Sequence, residues 1–227
     1  MPHPIARVGA LCRERGVLFH TDATQSWGKE RIDVNAMHVD LLSASAHKLH
    51  GPKGVGMLFV RRRGPRVRCE PLVRGGGHER GLRSGTLNVP GIVGMGVAAT
   101  LAAEGAAVRT LRDRLESGLQ SRLDGVEVNG GRAGRLANTT NLSFAGVDGA
   151  KLMKGMPGLA VSSSSACTSA ALQPSYVLGA MGRDDARIRG SVRFSLGRFN
   201  TAGEIETAIE TVAGAVDALR GGWTTVP

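Results

Sequence analysis

Aromatic side chains are scarce in this sequence, only 4% of residues, and acidic residues are outnumbered by basic ones, 19 against 29. A surface for single-stranded nucleic acid interleaves aromatics with basic residues. The densest basic cluster here, Arg61-Arg62-Arg63 with Arg66 and Arg68, contains no aromatic residue, so a solvated strand end or loop is predicted there and no nucleic-acid partner. The net charge of +10 still allows an acidic protein or an anionic small molecule as partner. Cysteine is equally sparse. Three thiols, Cys12, Cys69 and Cys167, are too few and too scattered for a disulfide framework, and none has a metal-ligand spacing to another Cys or a His. No metal site is predicted. No apolar run is long enough to span a bilayer, and the first residues, Met-Pro-His-Pro-Ile-Ala-Arg, lack the apolar segment of a secretory signal. A cytoplasmic location away from membranes is therefore expected.

Hydrophobic residues make up 41% of the 227 residues, enough for one large domain or two small ones. The stretch that organises the chain runs from Ser43 to Gly56, SASAHKLHGPKGVG. A small-residue apolar run leads into Lys48, a Gly-Pro-Lys-Gly turn follows, and a second apolar run covers residues 55–60. That pattern predicts strand, exposed corner, strand. A lysine on such a rigid corner suits Schiff-base chemistry; a solvated turn lysine would look the same in isolation.

Around this corner the hydrophobic periods predict alternating elements of the α/β kind. Residues 5–15 carry a helical apolar face, and residues 17–20 read as a short buried strand running into Thr21-Asp22-Ala23-Thr24-Gln25-Ser26. Ligands of open α/β sheets sit at the carboxyl ends of strands, which gives Asp22 and Gln25 a functional position. A turn or cap aspartate is the equally weighted alternative. Residues 75–86, GGGHERGLRSGT, fit neither period, and their glycine amides with Arg83, Ser84 and Thr86 could surround an anion, as could a plain flexible loop. A helical stretch over residues 91–122 breaks near Gly105, where a domain boundary is placed: a partial large domain over 1–105 and a small domain over 106–227. In the second part, strands are predicted at 126–128 and 139–144, and a helix at 149–156. A serine-rich run at 161–169 around Cys167 follows, then a strand at 191–196 with Arg193 off its apolar face. A final helix over 201–219 opens with a Thr-Ala-Gly-Glu capping box.

An amine, a carboxylate, an anion-binding set and a lone thiol are together the parts of a pyridoxal phosphate enzyme of sulfur chemistry. Five ordered motifs, HTDATQS (20–26), SASAHKLHGPKGVG (43–56), GGGHERGLRSGT (75–86), SSSSACTSA (162–170) and VRFSLGRF (192–199), resemble the cysteine desulfurases of the class-V aminotransferase group. The resemblance implies the C-terminal part of a fold-type I α/β large domain followed by a small α+β domain. It implies Lys48 as Schiff-base lysine, Asp22 on the ring nitrogen, Gln25 on the ring hydroxyl, and Ser45 and His47 on the phosphate. Thr86 would reach the phosphate of the other subunit of a homodimer, and Arg193 would hold the substrate carboxylate. Cys167 would receive sulfur from L-cysteine as a persulfide, leaving L-alanine, and pass it to an acceptor or scaffold protein for iron-sulfur cluster or thio-cofactor assembly. Trp27 and Ser164 depart from the family's usual small residue and glycine. The segments that carry the family's ring-stacking histidine and a further phosphate turn have no counterpart here, so weak or absent activity is expected of the chain by itself. A related class-V enzyme such as a selenocysteine lyase, and a non-catalytic remnant or partner subunit of a split enzyme, are the alternatives.

Overall fold

The computed structural model describes residues 3–102, 105–131, 134–163 and 175–221. They fall into two compact units divided at Gly105. In the first unit, helix α1 (Ile5–Glu14) is followed by strands β1 (His20–Asp22), β2 (Leu41–Ser45) and β3 (Gly56–Val60), and then by helix α2 (Val89–Leu101). The sheet order is β1-β2-β3, with β1 parallel and β3 antiparallel to β2. Its core is small: Ala23, Val39, Leu42 and Ala44 are buried, with Ile5, Phe19, Met37 and Phe59 packed against them. Helix α1 lies so close to this core that a side chain at Gly9 would collide with the Met37 carbonyl. Helix α2 starts at Val89 with Asn88 as cap and Pro90 in its first turn, the Asn88 side chain accepting a hydrogen bond from the Gly91 amide at 3.1 Å.

Two sequence expectations change here. The apolar residues Val17 and Leu18 precede β1 rather than forming it, and they are 56% and 51% exposed. A strand exists only where a partner takes its hydrogen bonds, and β2 begins to do so at Phe19, whose carbonyl accepts from the Asp40 and Leu41 amides. Asp22 thus lies within the strand. Arg61, expected to be solvated, is instead largely enclosed. Its guanidinium pairs with the buried Asp40 at 3.2 Å and donates to the carbonyls of Val34 and Val39 and to Asn35. Asp40 also accepts from the Phe19 amide, so this pair fixes the start of both β1 and β2.

The second unit runs α3 (Gly105–Arg122), β4 (Val126–Val128), β5 (Thr139–Phe144), α4 (Gly149–Lys154), α5 (Tyr176–Ala180), α6 (Asp185–Arg189), β6 (Ser191–Ser195) and α7 (Ala202–Gly221). Its antiparallel sheet has the order β4-β5-β6. Alternate residues Leu142 and Phe144 of β5, and Val192 and Phe194 of β6, join Leu115 and Leu119 of α3 and Ile205, Ile209, Val212 and Val216 of α7 in one buried cluster. Gly118 lets α3 approach Ile209 of α7, and Arg114 pairs with Glu206 at 2.6 Å across the same helices. The capping box forms as expected: the Glu204 amide donates to the Thr201 hydroxyl, and the Thr201 amide donates to the Glu204 carboxylate at 2.8 Å. Helices α5 and α6 were not legible in the sequence, since five residues are too few for a helical period to register.

Candidate functional site

Asp22 closes β1 and pairs in register with Ser43 of the parallel strand β2. Parallel strands end at the same edge of a sheet, so Asp22 and the residues that leave β2, Ser45, His47 and Lys48, belong to one edge. The corner expected around Lys48 is a single 3₁₀ turn, Ala46–Leu49, closed by His50 in the left-handed region at φ 62°. Ala46 and Leu49 are buried and anchor the turn, while Lys48 is half-buried and His47 exposed. Among the described residues no hydrogen bond or ion pair holds the Lys48 amine, which leaves its nitrogen available for bonding. Ser45 Oγ and His47 Nδ1 share a hydrogen bond of 2.7 Å, in which the hydroxyl donates when Nδ1 is unprotonated.

The turn is pressed into place by small residues. A Cβ at Gly51 would meet Ala46 and Ala98, one at Gly94 would meet Pro52, and one at Gly28 would meet Leu49 and Ala102. Helix α2 therefore seats directly on the lysine turn, and Gly28, at φ 73°, brings the segment after Gln25 against the same turn.

Asp22 is exposed, and its carboxyl is held below the usual range by the Thr24 hydroxyl and then by the Thr24 amide, which donates to Asp22 at 2.8 Å. A carboxylate that stays ionised is what a protonated pyridine nitrogen requires. The Ser26 and Trp27 amides both donate to the Ala23 carbonyl, making a tight turn that leaves Gln25 exposed with no hydrogen bond among the described residues.

Lys29 was not singled out in the sequence. It is half-buried, and its pKa is lowered first by that burial and then by the like charge of Lys48. Only the fold reveals it, since the approach of residue 28 to residue 49 depends on a left-handed glycine.

In the loop over residues 75–86, three of the groups that could surround an anion are engaged within the loop itself. Ser84 is buried and accepts from the Gly77 amide at 3.3 Å, while Arg83 donates to the carbonyls of Gly85 and Thr86. These groups are committed to holding the loop together because its own carbonyls need donors. The Thr86 side chain is exposed and makes no described hydrogen bond.

In the second unit Arg193 projects from β6 on the face opposite Val192 and Phe194. Its backbone bonds to Ser162 on one side, the Arg193 amide donating to the Ser162 carbonyl at 2.6 Å and the Ser162 amide to the Arg193 carbonyl at 3.2 Å. On the other side Arg193 pairs with Asn141 of β5. Its guanidinium has no described partner. Cys167 lies outside the described residues. Among the described residues no cluster of His, Cys, Asp and Glu could hold a metal ion, and no helix is long and apolar enough to cross a membrane.

A family model described as aminotransferase class-V matches residues 2–207. The chain belongs to the class-V aminotransferase family. This class-V chain is 56% identical over 223 residues to a cysteine desulfurase IscS of Anaeromyxobacter dehalogenans, covering 96% of the chain and 55% of that relative. It is 51% identical to a mitochondrial cysteine desulfurase of Eremothecium gossypii, covering 96% of the chain and 45% of that protein. Among solved structures, a NifS-like protein from Rickettsia africae superposes with a TM-score of 0.81 at 29% identity, over 94% of this chain and 57% of that one. Another NifS-like protein gives 0.79 at 35% identity, over 95% and 57%. The class-V chain thus spans about half the length of the relatives it matches, and its fold is that of the corresponding part of these α/β enzymes.

Proposed function

We propose that this chain carries the lysine, the cofactor-edge residues and the sulfur-accepting cysteine of a pyridoxal phosphate-dependent cysteine desulfurase. The observation that carries this is the β1–β2 register, which gives Asp22 the same sheet edge as Ser45, His47 and Lys48. The donor set fits the cofactor group by group. An amine without a partner among the described residues suits its aldehyde, a carboxylate kept ionised suits its ring nitrogen, and the hydrogen-bonded Ser45–His47 pair suits its phosphate. When bound, the cofactor supplies an electron sink for the substrate's α-carbon. Asp22 keeps the ring nitrogen protonated, Gln25 donates to the ring hydroxyl, and Thr86 is assigned to the phosphate of a partner subunit in a homodimer. Arg193 binds the α-carboxylate of L-cysteine by a charge-assisted pair.

In the overall reaction the carbon–sulfur bond of cysteine breaks, a sulfur–sulfur bond forms at Cys167, and a proton replaces sulfur on the carbon. L-cysteine and the Cys167 thiol become L-alanine and a persulfide, with no external oxidant. The relatives named cysteine desulfurase, at 51% to 56% identity, support this substrate. An acceptor protein then takes the persulfide sulfur.

The experiment is chemical mapping. The protein is incubated with pyridoxal phosphate, reduced with borohydride and digested, and the modified peptide is sequenced by mass spectrometry. Modification at Lys48, lost in Lys48→Ala, is the expected result. Modification of Lys29 in preference to Lys48, or of many lysines equally, overturns the assignment. Supplied with the part of the family's length that this chain does not span, the protein incubated with ³⁵S-cysteine should label Cys167 and release alanine, and label retained in Cys167→Ala would remove the persulfide role.

A further inference from the structure

Bonded to the register partner of Arg193 is a buried amide that stability alone does not explain. Asn129, 6% exposed, follows β4 and donates through Nδ2 to Asn141 Oδ1 at 2.6 Å and to Ser191 Oγ at 3.0 Å. Ser191, 1% exposed, passes its own proton to the Arg187 carbonyl of α6 at 2.7 Å. One side chain thereby joins β5, the start of β6 and α6. Asn129 Oδ1, also buried, has no protein hydrogen-bond partner among the described residues. Rotating the amide exchanges the orphaned oxygen for an orphaned nitrogen, so neither orientation satisfies the group. A buried amide atom without a partner lowers stability, and an apolar residue of the same volume would avoid that loss. Such a group is retained where geometry matters more than stability.

The geometry it serves is at Arg193. Because the Arg193 amide and carbonyl bond to Ser162, and the Asn129 amide donates to the Asn141 carbonyl, neither Arg193 nor Asn141 directs its backbone groups at the other. Theirs is a non-hydrogen-bonded pair, the kind in which facing side chains stand closest. Ser191 lies on the same face two positions earlier in β6. The Asn129 amide therefore clamps the two neighbours that border the Arg193 stem, Asn141 across the strands and Ser191 along the strand. We infer that Asn129 is a positioning residue for Arg193, acting through Asn141 and Ser191 to aim the guanidinium at the substrate carboxylate.

This inference rests on the reading of Arg193 as the carboxylate anchor, and the test separates the two. In the complete enzyme carrying this chain, loaded with pyridoxal phosphate, the KM for L-cysteine is compared with the inhibition constant of cysteamine, the same molecule without its carboxylate. Asn129→Ala should raise the KM about tenfold with kcat little changed and cysteamine inhibition unaltered. Arg193→Ala should raise it about a hundredfold with the same selectivity. Asn141→Ala leaves Asn129 in place while removing the link, and should reproduce the Asn129→Ala pattern even if Asn129→Ala folds poorly. Equal losses for cysteine and cysteamine in both asparagine variants reduce the network to a structural role and overturn the inference, as does no loss in either. An Arg193→Ala enzyme with an unchanged cysteine KM overturns the anchor reading itself.

Discussion

The two units of this chain each contain a three-stranded sheet, yet they are held together differently. In residues 105–221, side chains of α3, α4 and α7 close over one sheet face, and Leu119, Phe144, Leu152, Val212 and Val216 are fully buried. In residues 3–102 the buried cluster is made of Ala23, Val39, Leu42 and Ala44, while Val17, Leu18, Val93 and Val97 remain more than half exposed. Burial of large apolar side chains stabilises the unit that carries Arg193. The unit that carries Lys48 relies on hydrogen-bonded turns, the Arg61–Asp40 pair and close small-residue contacts. The candidate edge around Lys48 is thus built on backbone geometry, which places groups accurately but tolerates few changes in the glycines that permit it.

Core truncation should separate the units most sharply. Phe144→Ala removes a fully buried ring and is expected to cost about 3–5 kcal/mol, whereas Val97→Ala, at a 55% exposed position, should stay within about 0.5 kcal/mol. Urea unfolding with hydrogen-exchange readout of β5 and β1 amides measures both. Comparable losses would break the comparison.

A smaller effect tests the opposite dependence. Gly28→Ala places a Cβ against Leu49 and Ala102 at φ 73°, and should destabilise residues 3–102 by about 1–3 kcal/mol while leaving exchange in β5 unchanged. Trp27 fluorescence, recorded with Trp223→Phe as background, follows that unit. An unchanged transition would mean that the lysine turn does not depend on this approach.

The smallest expected effect is that of pH. Asp22 is held below its ordinary 3.8 by the Thr24 hydroxyl and amide, and Asp33 by the Ala36 and Asn35 amides; in the other unit Glu204 is held below 4.5 by the Thr201 amide and Asn200. A depressed carboxylate contributes stability above its unfolded value, and that contribution is lost as pH falls through the folded one. Two of these three carboxylates belong to residues 3–102, so acid below about pH 4 should loosen that unit first. Lys29 acts from the other end. Its folded pKa lies below 10.5, so the unfolded chain holds the proton more tightly and stability rises with pH through the window under that value. The Trp27 signal across both windows checks both signs, and a Lys29→Met variant should flatten only the alkaline one.

Local signals were readable wherever they were repeated or chemically specific. The apolar alternation of Val192, Phe194 and Leu196 placed Arg193 off the core face, and Thr201 with Glu204 marked the start of α7. The motif around Lys48 stood out because glycine, proline and lysine follow a small-residue strand. What failed to show were partners. Nothing near Val17 says that β2 begins to donate only at Phe19, nothing near Arg61 says that Asp40 awaits it, and nothing near Ser84 says that it turns inward to Gly77. Asn129 carried no signal along the chain, and only the pairing of β4, β5 and β6 makes it the junction of a buried network.

The sequence by itself determined which residues are candidates for the site, the order of the longer helices and the strands, and the family to which five spaced motifs belong. Tertiary structure alone decided that Asp22 stands in register with Ser43, that Gly28 brings Lys29 under the influence of Lys48, and that Asn129 bonds to Asn141 and Ser191. Periodicity and turn chemistry act over a few neighbouring residues and can be read along the chain. Strand register and side-chain partnership are fixed by the packing of segments far apart in sequence, where the free energy belongs to the pair and to neither segment alone.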